Sequence, residues 1–142
     1  MILTWWHNAL DMPKNNKQWH IDDMADEYTE LLEAHGLVAT WSELSDVAYT
    51  YSRGKWSGNT IPLPISKPRY YLGLIYMYPK YTSRYIFFKQ AGKKSGATVP
   101  IKEVRNPKNT HKLHTIATQY NIDSQAFQRI CKAQLRHWPL LP

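Results

Sequence analysis

The sequence predicts an α+β protein. Three observations carry that reading: capped apolar patterns of helical spacing towards both ends, a middle third crowded with Tyr, Ile and Phe, and a glycine-flanked basic turn inside that third. At 142 residues the chain suits one domain, 1–142, with an acidic helical part over 1–50, a basic aromatic part over 51–105 and a basic helical pair over 106–142.

Taken in order, Trp5, Trp6 and Trp19 are expected to pack on the rest of the chain, with Pro13 and the Lys14-Asn-Asn-Lys17 run forming a loop between them. Asp22 or Asp23 can cap a helix through Met24, Tyr28, Leu31 and Leu32, stopped at His35 by Gly36, which is free to take positive φ. Thr40-Trp-Ser-Glu43 has the spacing of a capping box, opening a second helix that buries Leu44, Val47, Ala48 and Tyr51 and ends before Gly54. The two make an acidic helical hairpin. Pro62, Pro64 and Pro68 turn residues 61–68 into an extended connector.

Tyr70–Tyr78, Arg84–Gln90 and Thr98–Val104 are expected as a small antiparallel meander, turned at Gly92-Lys-Lys-Ser-Gly96, because Tyr, Ile, Phe and Val favour a pleated, half-buried surface. The all-α alternative has two short helices here, one opened at Ser66-Lys-Pro68 and ended by Pro79, the next running from Ser83 to Gly92. Periodicity does not separate the two over short, nearly all-apolar runs, and composition favours strands. Asn109 or Thr110 then caps a helix through Leu113, Ile116, Ala117 and Tyr120; Asn121-Ile-Asp123 turns the chain; Asp123 caps a last helix through Phe127, Ile130, Cys131 and Leu135, stopped by Pro139.

Charge is divided along the chain. From Val47 to Lys102 there is no Asp or Glu, against ten Lys or Arg; the first fifty residues sum to −7 and the remainder to +14, with His neutral. Unbalanced positive charge repels itself and attracts a polyanion, so a nucleic-acid partner is expected, together with a possible protein partner for the acidic part. Cys131 is the single cysteine, which excludes an intrachain disulfide and a multi-cysteine zinc site and fits an intracellular setting. The start lacks the basic n-region of a signal peptide. The longest apolar run, Tyr70–Tyr78, is nine residues against the ~20 a spanning helix needs, so no membrane partner is expected.

Phosphate contact requires cations, and stacking on unpaired bases requires rings on the same surface. Arg69, Arg84, Lys89, Lys93 and Lys94, with Tyr85 among them, offer both. Gly92-Lys-Lys-Ser95 fails as a Walker loop, because Phe87 stands where the leading glycine belongs, and reads as a basic turn against a phosphate backbone. Residues 116–130, with small Ala117 in the first helix and Ile122 in the turn, resemble the helix-turn-helix pattern. That resemblance makes Gln125, Gln128, Arg129 and Lys132 the face that meets bases and phosphates.

The histidines carry no HExxH spacing, and His111 and His114 are expected to face solvent or phosphate, so no catalytic residue, metal or cofactor is assigned. A nuclease would have to borrow Asp22, Asp23, Asp26, Glu30, Glu43 or Asp46 from the acidic part. The expected function is non-enzymatic nucleic-acid binding, to DNA or RNA. The alternatives are an RNA-bound structural subunit of a ribonucleoprotein, a metal-dependent nuclease and a protein-interaction module.

Overall fold

The structure, a computed structural model, describes residues 7–10 and 14–138. Their helices are α1 (Lys17–Glu33), α2 (Leu37–Trp56), α3 (Lys67–Lys94), α4 (Thr110–Gln119) and α5 (Ser124–Leu135), with a short helical segment at 7–9 and no strand among the described residues. The α+β expectation is therefore wrong and the all-α alternative holds. Both apolar runs read as strands lie in α3. Its burial has helical spacing: Phe87, Phe88 and Ala91 are fully buried, while Tyr71, Leu72 and Ile75 are exposed. β-propensity is a packing preference, and packing on one helical stripe overrides it here. Thr98–Val104 is irregular, pinned by the fully buried Ile101.

Pro79, expected to end a helix, sits inside α3. Lacking an N–H, it removes the ladder bond to the carbonyl four residues back without stopping the helix on either side. The chain divides there into two compact units, one up to Pro79 and one from Lys80.

In the first unit the helix starts differ from the sequence reading. Asn16, in extended conformation, accepts from the backbone N–H of Trp19 at 2.8 Å, so α1 begins well before Asp22 and Asp23. Gly36, at φ 89°, is the N-cap of α2, so the helix starts at Leu37 and the Thr40–Glu43 box lies within it. Met24 and Leu31 from α1 pack with Leu44 and Val47 from α2 and with Ile61 and Ile65 of the proline-rich connector. Leu32, expected in this core, is exposed. The first half of α3 docks closely on α2. The Trp41 indole donates to the Leu72 carbonyl at 2.6 Å, its ring lies 5.2 Å from that of Tyr76, and Gly73 lies directly against the backbone of Leu44. Trp5, Trp6 and Pro13 lie outside the described residues, as does Pro139 at the other end.

The second unit is built on Phe87, Phe88 and Ala91 of α3, Ile101, Leu113, Ile116 and Ala117 of α4, and Phe127 and Cys131 of α5. Gly92 is helical and packs against Ile101, where a β-carbon would come within 2.8 Å of the Ile101 side chain. Gly96, at φ 79°, closes α3: the Ala97 N–H donates to the Gly92 carbonyl at 3.0 Å. α4 ends the same way on Asn121, at φ 55°, with the Ile122 N–H donating to the Ala117 carbonyl at 2.9 Å. The caps read from sequence are present, Asn109 accepting from Lys112 N–H at 3.3 Å and Asp123 from Ala126 N–H at 2.9 Å. Gln134, buried on α5, donates to the Phe87 carbonyl at 2.9 Å and ties α5 to α3. Burial pushes the Cys131 thiol up to about 12. Among the described residues no helix is long and apolar enough to cross a membrane.

Gly73→Ala gives a test of the α2–α3 contact. Alanine in a helix interior ordinarily gains about 1 kcal/mol over glycine. Here the methyl would collide with the Leu44 carbonyl and press on the Ala48 methyl. The variant should instead lose about 1–3 kcal/mol in denaturant unfolding; a gain would show that the helices stand further apart.

Candidate nucleic-acid interface

α4 and α5 are joined by four residues, and the Asn121 closure with the Asp123 cap leaves the turn little freedom. α5 is two-faced. Phe127, Cys131 and Gln134 are buried, so Gln125, Gln128, Arg129 and Lys132 are turned to the other side. Together with Pro107, Lys108 and Thr110 they line a groove of about 580 Å³, with Leu113 and Leu135 as apolar lining. The part of the lining from Pro107 to Thr110 is shaped by local turns. Asn106 accepts from the Lys108 N–H at 3.0 Å, which places Lys108 immediately before the Asn109 cap and Thr110 at the positive end of α4.

The groove holds one oriented side-chain amide. The Gln128 side chain donates to the Ser124 hydroxyl at 2.9 Å, and that hydroxyl lies 2.8 Å from His114 Nδ1. Ser124 can accept from Gln128 and donate to a neutral His114 only if the imidazole proton is on Nε2. The relay leaves Gln128 with one free N–H and its carbonyl oxygen. His114, read from sequence as facing solvent or phosphate, thus braces a groove residue.

The other sequence candidates are dispersed. Arg69 is exposed in the first turn of α3, in the first unit. Arg84 is buried, its Nη1 donating to the Val104 carbonyl at 3.2 Å and its guanidinium lying 5.4 Å from the Tyr81 ring centre, so it holds the 97–109 segment to α3 and is withdrawn from a ligand. Tyr85 is half-buried, and the neighbouring rings of Tyr81, Phe87 and Phe88 are core. Lys89, Lys93 and Lys94 are exposed at the end of α3, the last two in a helical turn rather than a loop. Gln125, Gln128, Arg129 and Lys132 are the four brought together. Lys108 and Thr110 were missed, and the Asn-Pro-Lys-Asn cap signal at 106–109 was the one local hint of where they stand.

A second cluster lies in the first unit. Glu27, Glu30 and Glu43 each bring a carboxylate oxygen within 4.8 Å of the others, a hard-oxygen set of the kind divalent cations use. Burial, with Asp46, Glu30, Asp23 and Glu43 around it, pushes the Glu27 carboxyl up to about 8. In the same unit His7 and His20 are fully buried, and the His7 ring nitrogens find no hydrogen-bond partner among the described residues; burial and then the Arg53 charge hold His7 down at about 4 and lower His20 as well. Comparison with protein-family models, with curated proteins and with solved structures finds no match for this chain.

These shifts fix opposite pH dependences. Between pH 4.5 and 8 the native state keeps a proton on Glu27 that the unfolded chain has lost, so this group costs stability as pH rises. Unfolded His7 takes up a proton below pH 6.5 that the native state refuses until about 4, so stability falls as pH falls through that window. The thermal midpoint of Glu27→Gln should pull ahead of the parent between pH 5 and 8, and that of His7→Phe between pH 6.5 and 4. Constant offsets across these ranges would refute the assignments.

Proposed function

We propose that this chain is a non-enzymatic nucleic-acid-binding protein whose α4–α5 pair carries the binding surface. One observation supports this above the others: Lys108, Arg129 and Lys132 edge the same groove as the amides of Gln125 and Gln128. Phosphates need the first kind of group and base edges the second. The surrounding field has the right sign, since from Lys80 onward twelve bases face two acids, Glu103 and Asp123. Lys89, Lys93 and Lys94 add to the field without lining the groove.

The full chain carrying Lys108→Gln, Arg129→Gln and Lys132→Gln should bind nucleic acid more weakly at low salt. The slope of log affinity against log salt should flatten by about two to three, since each neutralised phosphate contributes about 0.7–0.9. Unchanged affinity and slope would remove this groove as the site. Lys93→Ala with Lys94→Ala should weaken all sequences alike and flatten the slope by about one to two.

A second reading, a protein contact through the acidic part, is favoured by Leu32, Leu37 and Val38, all exposed on that part. Serine at these three positions should reduce self-association or dye binding to apolar surface without altering nucleic-acid affinity. No change in sedimentation or dye binding would remove it.

A further inference from the structure

The groove is half open, and its lining narrows the kind of nucleic acid it can take. A helix that reads duplex DNA projects into a major groove about 12 Å wide, so its base-contacting side chains stand on an outer crest. On α5 the corresponding side chains line a half-open groove of about 580 Å³ together with Pro107, Lys108 and Thr110. That volume lies within the range of small-molecule pockets and suits a flat heterocycle rather than the edge of a stacked duplex. Its lining has two chemistries: the apolar Leu113 and Leu135 for the face of a base, and the exposed Lys108, Arg129 and Lys132 for flanking phosphates. The edge of such a base would meet Gln128, whose amide the Ser124–His114 relay holds with one N–H and one carbonyl oxygen to offer.

We infer that the groove seats an unpaired nucleotide of a single-stranded nucleic acid, the base inside against Leu113 and Leu135 and the adjoining phosphates on the three cations. This rests on the nucleic-acid reading above and specifies its target. Gln128 reads the base edge. Ser124 and His114 are positioning residues, because they act through Gln128.

The test uses the full chain and fluorescence anisotropy, with labelled single strands of DNA and RNA, the matching duplexes, four homopolymers and a free mononucleotide as competitor. The tighter single strand should bind at least tenfold better than its duplex. The mononucleotide, lacking phosphates on both sides, should compete at least tenfold less well than the strand. The homopolymers should differ several-fold in the parent and converge in Gln128→Leu and, in part, in Ser124→Ala. The salt slope and thermal midpoint of these variants should stay unchanged. Duplex binding equal to or tighter than single-strand binding would overturn the inference while leaving the nucleic-acid reading intact. So would mononucleotide binding as tight as the strand, or base preferences that persist in Gln128→Leu. Absence of binding to every probe, or binding indifferent to the Lys108, Arg129 and Lys132 substitutions, would instead remove the nucleic-acid reading itself.

Discussion

The second unit depends on the burial of one face of α5. Phe127 and Cys131 sit in the core with Phe87 and Phe88, and Gln134 is anchored on the Phe87 carbonyl. A rigid helix cannot rotate one face without the other, so the same contacts set the direction of Gln125, Gln128, Arg129 and Lys132. Apolar burial of this kind is also what a unit with twelve bases and two acids needs, because its charge opposes compaction. Packing thus does two things at once: it holds a self-repelling segment together, and it aims its polar side chains.

How much of this was legible in the sequence follows from how local each cause is. Asn109, Asp123 and the tight turn between α4 and α5 were readable because a cap involves a residue and a backbone N–H three positions on. The face of α5 was readable for the same reason, since periodicity fixes which residues go in. Charge division was readable by counting. The middle was not: apolar residues on nearly every side of a run from Tyr70 to Phe88 leave strand and helix equally served. Pro79 compounded the error, being a stop signal that the helix around it overrides.

The candidate site divides along the same line. Four side chains on one helix were found together, whereas Lys108, which lines the same groove, depends on tertiary placement that no local pattern encodes. Arg84 failed in the reverse sense. Its type and its basic neighbours suggested a surface cation, but the carbonyl that holds it belongs to Val104, twenty residues away. At the start of the chain, a single well-placed Asn16 outweighed the two aspartates that follow it, because the extended backbone at that position presents its side-chain oxygen to the first free N–H groups of the helix.

The seclusion of Cys131 has a use of its own. A thiol that is fully buried and held near 12 is neither accessible nor ionised at neutral pH, and so is closed to disulfide reagents while the core is shut. Each transient opening of the second unit exposes it. The rate at which an aromatic disulfide captures that thiol would therefore clock the breathing of this core from within, without a label having to be built in.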